Sequence, residues 1–440
     1  MGGNVQTTIH LTNMSRNAAV DLTTLAHEAG ESDCNAVAAS LNVRIKAFVM
    51  DLWCYVPYYD RYLCEGLKVK NIEVTLGSVS PYQDPEYFAR IGLSNDPGLV
   101  DVVPKLRIPN DTIRRVLMLV ECCINMCALL VRFAFSKPDI LHIQWIPMVR
   151  KLPFEVWFLI LVKKLGIKLV YTVHNVLPHD TGKRFVLAFR RVYKEMDALI
   201  CHTDEAKGRL IREFSVDPER IWVIPHGPLL HDARRDSVKA SKAALSLPEN
   251  ETLVLWQGII RPYKGLDFLL EGWRRIDARR LNARLLIAGT GEPKLLQAIK
   301  DQVAQLGLQE SVRLDFRFIP DKELPTYYQA SDILVYPYST ITTSGALMTA
   351  LAYQKAIVAT NLPAFQEVLR DEETALLVDY CDVDALARCI RRLIRDPKER
   401  ERLALGVATS GDFNSWSRIA GRTRQCYASV LNSARTEAFY

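Results

Sequence analysis

A chain of 440 residues has room for about three average domains, and two larger ones fit the same expectation; two is the working number. With 49% hydrophobic and 24% charged residues, 21 Gly and 21 Pro, the composition is that of a globular protein with a sizeable core, which excludes disorder, collagen and low complexity. The net charge of +6, from 56 Lys and Arg against 50 Asp and Glu, is too small to indicate nucleic acid and permits only a mild preference for anionic ligands or lipid surfaces.

In chain order, residues 1–42 form a polar tail without an apolar run of the kind a secretory signal carries. Ten cysteines are spread over the chain without any CxxC pair, so a zinc site is not expected and a reduced, cytoplasmic compartment is. From residue 43, short β-branched runs alternate with amphipathic stretches. RIKAFVM, NIEVTLGSV, DILHIQW, IKLVYTVHN, DALICHT and IWVIPHG read as buried parallel strands of an N-terminal domain over 43–235. Within it, 116–135 is apolar enough to suggest a membrane span, yet Glu121, Asn125 and Arg132 interrupt it. A half-buried domain helix, a helix lying on a membrane surface and a span all stay open. Residues 153–162 repeat the theme with Trp157 and a basic end at Lys163, Lys164 and Lys168, which motivates peripheral attachment to an anionic membrane surface.

A polar segment without strand character, 236–250, is the expected linker. TLVLWQG, ARLLIAGTG, VRLDFRFI, DILVYPY, KAIVAT and ALLVD then read as the strands of a second domain over 251–413. Residues 414–440 read as a C-terminal helix that caps this domain or returns to the first. The fold class that follows is α/β, two Rossmann-like doubly wound parallel sheets facing a cleft, with chemistry in the loops beyond the strand ends.

Those loops carry the candidate residues. Arg261 and Lys264 stand between Gly258 and Gly265, where a backbone can approach a phosphate and two cations can neutralise it. Gly289 and Gly291 frame a short turn that serves a phosphate or simply connects. Thr343, Ser344 and Gly345, with Thr342, precede a helix and offer hydroxyls and free N–H groups to an anion, beyond what an N-cap needs. In the first domain His174 follows a strand directly, with His179 five residues on. Tyr58, Tyr59, Gln144 and Trp145, with Trp53 and Tyr55, pair aromatic faces with an amide and would suit a sugar ring, or would serve as core at the domain edge.

The order HNVLPH, IPHG, GIIRPYKG, IAGTGE, ASDILVYPY, YQKAIVAT resembles the retaining glycosyltransferases of the family 4 (group 1) type, with the GT-B fold, over most of residues 43–430. The resemblance implies transfer of a hexose from a nucleotide diphosphate sugar, without a metal or resident cofactor, to a glycan or lipid-linked acceptor in surface polysaccharide biosynthesis. It implies that Arg261 and Lys264 hold the donor diphosphate, that His174 lies near the donor sugar, and that Ser344 and Gly345 meet the diphosphate. The family's two glutamates are replaced by Ile341 and by Thr349, which is kept among the donor-binding positions. That departure motivates a second reading, a catalytically silent scaffold subunit. A GT-B nucleotide-sugar epimerase is a third. The nucleotide-sugar donor, the acceptor and an anionic membrane surface are the partners expected; nucleic acid is not, and the sequence assigns no oligomeric state.

Overall fold

A computed structural model describes residues 44–440 apart from 83, 94–97, 107, 150–153, 178–184, 231–234, 411–414 and 438–440. The polar tail 1–42 and His179 lie outside the described residues.

Each of the twelve apolar runs forms a strand, because a parallel strand covered on both faces reads as a nearly continuous hydrophobic run. The first six are β1 (Ile45–Asp51), β2 (Ile72–Ser78), β3 (Ile140–Ile143), β4 (Lys168–Val173), β5 (Ala198–Cys201) and β6 (Ile221–Val223). They make one sheet in the order β2-β1-β3-β4-β5-β6, with parallel pairing from β1 through β6. The second six are β7 (Thr252–Gln257), β8 (Ala283–Ala288), β9 (Val312–Asp315), β10 (Ile333–Tyr336), β11 (Ala356–Thr360) and β12 (Leu376–Val378), in the order β12-β11-β10-β7-β8-β9, again parallel. The period of two is visible in β7: Val254 and Trp256 enter the core on one face, Leu253 and Leu255 that on the other.

Two segments depart from or refine the expectation. The segment expected as a plain linker holds a helix, Val238–Ala244, capped by Ser237, whose side chain accepts from the N–H of Ala240. The ammonium of Lys242 anchors that helix to the second domain, donating to the Glu251 carbonyl at 2.8 Å and to Asp332 at 3.0 Å. The helix Trp416–Glu437 lies along the helix Pro57–Val69 of the first sheet. There Trp416 stacks on Tyr62 at 5.5 Å and Tyr427 places its hydroxyl 2.7 Å from Nδ1 of His142.

In the long apolar stretch, the helix Asp111–Phe135 is long and apolar enough to cross a membrane, but two of its interrupting polar residues, Glu121 and Asn125, are docked inward, while Arg132 is exposed. Glu121 accepts from the N–H groups of Val102 and Val103 at 2.6 and 3.2 Å, and Asn125 accepts from the N–H of Val100 and donates to its carbonyl. Leu129 and Phe133 continue the same buried face.

Candidate active site

In each sheet the strand order reverses once, between β1 and β3 and between β7 and β10, the position beyond which open α/β sheets bind their ligands. At the second reversal the loop after β7 carries Gly258 to Lys264. Gly258 and Gly289 have φ of +152° and +146°, and a Cβ on Gly289 would sit 1.9 Å from the Gly258 carbonyl oxygen. Glycine is needed for the loops after β7 and β8 to lie this close. They are laced by the Ile260 N–H donating to the Thr290 carbonyl and by a bridge from Ile260 to Gly291. In this structure the Gly289-Thr290-Gly291 turn thus packs loop on loop.

The Lys264 side chain folds back over this glycine platform: a Cβ on Gly258 would meet its Nζ at 2.7 Å. Its Nζ also lies 5.7 Å from the Trp256 ring centre and 5.3 Å from that of Tyr338. Burial pulls its ammonium down to about 8, and the neighbouring Arg261 cation adds to the effect. Arg261 itself is exposed. Among the described residues no carboxylate forms an ion pair with Lys264, and the charge that acts on it is the second cation, Arg261.

Across the reversal, the helix Gly345–Tyr353 starts beyond β10. The expected surplus of hydroxyls is absent, because each is turned onto the protein. Ser344 accepts from the N–H of Leu347 at 3.2 Å as an ordinary N-cap, and Thr343 donates to the Thr342 carbonyl at 2.7 Å. Thr342 faces Asn175 at 3.5 Å, and Thr349 donates to the Gly345 carbonyl within its own helix at 2.9 Å. What remains for an anion is the backbone: helix geometry leaves the N–H groups of Gly345 and Ala346 without an intrahelical partner. Ile341 is packed in the apolar core beside the helix, so neither position of the expected carboxylates offers a charge.

In the first domain the structure gathers His174 with two histidines, His202 and His226, that the sequence did not single out. His174, His202 and His226 each follow the end of adjacent strands β4, β5 and β6, and parallel pairing brings them to one sheet edge around the ring of Tyr59, at 4.8, 5.6 and 5.0 Å. His174 stacks on Trp145 at 5.6 Å, and both its nitrogens are engaged: Nε2 lies 3.1 Å from the Gln144 amide and Nδ1 lies 3.3 Å from Nε2 of His202. The row continues through Gln144 to His142, and from His142 to Thr172 and Tyr427.

The Ile224 carbonyl at 3.0 Å can only accept, so His202 carries its proton on Nδ1 and accepts at Nε2 from Nδ1–H of His174. The Gln144 amide bridges the next two rings, Oε1 lying 3.1 Å from Nε2 of His174 and Nε2 lying 3.3 Å from Nε2 of His142; which end donates depends on the tautomers of the two rings. Burial keeps the rings neutral, pulling His142 down to about 3, His202 to about 4 and His174 well below the ordinary value.

Gln144 and Tyr59, expected against a sugar, are fully inside this packing at 0% and 2% exposure, because the histidine row and Trp416 cover them. Tyr58 is half-buried with its ring edge-on to Tyr87, and the half-buried Trp145 joins Tyr55 at 5.3 Å. His142, His202 and His226 had a signal in the sequence: YTVH, LICH and VIPH are strand ends carrying the same residue, and LHIQ places one inside a buried strand.

Comparison with known proteins gives a consistent outcome. Residues 59–228 match the model of Glycosyltransferase Family 4 and residues 237–405 that of Glycosyl transferases group 1, so the two models cover most of the chain. A D-inositol 3-phosphate glycosyltransferase of Streptosporangium roseum is 26% identical over 61% of this chain, and the chain spans 66% of that relative. One of Thermobispora bispora is 25% identical over 83% of the chain and 90% of the relative. The solved structure of Anabaena Alr3699/HepE in complex with UDP and glucose superposes with a TM-score of 0.69 at 14% identity, covering 88% of this chain and all of that one.

Proposed function

The chain belongs to the group 1, family 4 glycosyltransferases, and we propose that it moves a hexose from a nucleotide diphosphate sugar to a glycan or lipid-linked acceptor in the building of a surface polysaccharide, without a metal. The observation that carries the donor is Lys264, folded over glycine backbone at the sheet reversal with Arg261 beside it in the same loop and the start of the Gly345–Tyr353 helix across the reversal. As the bond from the sugar to the diphosphate breaks, negative charge grows on the leaving oxygen. Fixed cations and helix N–H groups stabilise that charge more in the transition state than in the ground state. The bound UDP of the Anabaena structure supports a uridine donor.

Incubation with UDP-, GDP- and dTDP-sugars and a lipid diphosphate acceptor tests this reading. Release of nucleoside diphosphate is expected from one donor class, and Lys264→Ala is expected to slow it on the order of a hundred- to a thousandfold. No release from any donor, with donor binding unchanged in Lys264→Ala, would defeat it. The apolar Ile341 and the self-bonded Thr349 favour the second reading, a binding subunit without catalysis. Donor binding without turnover on any acceptor would establish it.

The acceptor side of the proposal includes a membrane surface in a cytoplasmic setting. With Glu121 and Asn125 facing inward, the helix Asp111–Phe135 leaves Ile113, Val116, Val120, Ile124, Val131 and Phe135 exposed on one stripe, and Trp157 and Leu161 of the helix Phe154–Lys164 are exposed as well. Arg115 and Lys164 are exposed cations on the same two helices. Flotation with anionic liposomes at low salt is expected, and Val120→Asp with Ile124→Asp is expected to abolish it. A protein that stays at the bottom of the gradient contradicts this part alone.

A further inference from the structure

The histidine at the end of the row, His226, differs from the others. It is 8% exposed, and its Nδ1 lies 2.6 Å from the Gly227 carbonyl oxygen, which can only accept, so Nδ1 carries the proton. Nε2 of the neutral ring is therefore a fixed acceptor. Among the described residues no hydrogen bond reaches that atom, and it points to the start of the Gly345–Tyr353 helix, where a Cβ on Gly345 would lie 3.9 Å away. The atom is not sealed from solvent, so the hydroxyl of a ligand can reach it and find an acceptor already fixed in orientation.

The ring cannot turn this atom elsewhere. Tyr59 lies at 5.0 Å on one side and His202 at 5.2 Å on another, and the next residue, Gly227, is pressed on Trp416, whose Nε1–H donates to the Pro228 carbonyl at 2.8 Å. Phosphate oxygens have no hydrogen to give an acceptor, whereas sugar hydroxyls do. His174 has both nitrogens engaged by protein, and Ile341 and Thr349 supply no carboxylate. His226 Nε2 is thus an acceptor beside the helix start for which the described residues supply no donor.

We propose that Nε2 of His226 accepts a hydrogen bond from one hydroxyl of the donor's sugar, making His226 a specificity-determining residue at the junction of the two domains. The inference rests on the donor reading above and deepens it: the diphosphate is held by Arg261, Lys264 and the helix start, and the sugar is read from the other domain by His226.

The test uses calorimetric binding of UDP, UDP-glucose and the 2-, 3-, 4- and 6-deoxy forms of UDP-glucose to the full chain and to His226→Phe and His226→Gln, with melting curves to confirm folding. UDP alone is expected to bind all three proteins within about threefold. UDP-glucose is expected to weaken about 10- to 100-fold in His226→Phe, as for a lost hydrogen bond to a buried group. One deoxy donor should show the same weakening with the parent and no further loss with His226→Phe, while His226→Gln, whose carbonyl can accept, should recover part of the discrimination. Equal weakening of UDP and UDP-glucose in His226→Phe, or deoxy penalties of the same size in parent and variant, would overturn the role of His226 and leave the donor reading intact. UDP that fails to bind the parent would defeat the uridine donor and this inference with it.

Discussion

A half-buried lysine without a carboxylate makes the proposed donor site responsive to pH. Burial and Arg261 bring Lys264 down to about 8, so in the empty protein its charge is present below that pH and lost above it. An arriving diphosphate favours the charged form and raises the value, so binding above pH 8 must take up a proton. UDP affinity is therefore expected to be flat near pH 7 and to fall between pH 8 and 10 with a slope approaching one log unit per pH unit, the limit for one linked proton. Calorimetry at pH 7 and 9 measures it, and Lys264→Met should bind weakly with no slope in this range. At this scale the sequence showed the chemistry better than the geometry. The position of Arg261 and Lys264 between two glycines after a strand is legible because the strand's apolar run and both glycines are visible in the sequence. The hydroxyls of Thr343, Ser344 and Thr349 are not legible, because a hydroxyl rotates to its nearest backbone partner, and the partner exists only in the folded loop.

Whole elements were legible where burial on both faces imposed a pattern. Each of the twelve apolar runs is a strand, the central ones nearly continuously apolar because both faces are covered, and the edge strands β2 and β9 interrupted by charged residues. The Val238–Ala244 helix was hidden because its anchor is one lysine reaching Glu251 and Asp332, a contact with no periodic trace. The histidine row was hidden for a related reason. YTVH, LICH and VIPH align only once β4, β5 and β6 pair in register. The helix Asp111–Phe135 shows what a single polar residue can decide at this scale. Glu121 satisfies two N–H groups of the 102–103 turn and so determines which stripe of an otherwise apolar helix faces the protein. Glu121→Ala is expected to leave both donors unpaired and to lower stability by about 1–3 kcal/mol, read as a shift in the urea midpoint. Glu121→Gln, whose carbonyl still accepts, should lose less than half of that. Equal losses in the two variants would show that the carboxylate acts by packing.

For the molecule as a whole, the two sheets are held across the cleft by polar contacts, which suits a site that must admit and release a donor. Glu367 of the second domain accepts from the N–H groups of Asp204 and Glu205 at 3.0 and 3.1 Å, capping the helix Asp204–Phe214 of the first. Thr203 donates to the Thr342 carbonyl at 3.4 Å, and Arg90 reaches Asp321 at 2.9 Å from another edge. Thr203 itself caps Ala206, so the Glu367 carboxylate supplies what remains of the first turn's needs, and its charge is favourable at a helix start. Cutting this contact exposes two N–H groups to water instead of burying them unpaired, so the loss falls on closure and leaves each domain folded. Glu367→Ala should therefore melt within a few degrees of the parent yet scatter X-rays with a larger radius of gyration in the absence of ligand. Its donor affinity should drop about 2- to 30-fold, the factor that corresponds to losing a cap worth roughly 0.5–2 kcal/mol. Saturating donor should restore the compact profile, because binding energy shifts the equilibrium back to the closed form. An unchanged radius of gyration in Glu367→Ala, with and without donor, would place the hinge of the molecule elsewhere and leave Glu367 as a helix cap without a part in closure.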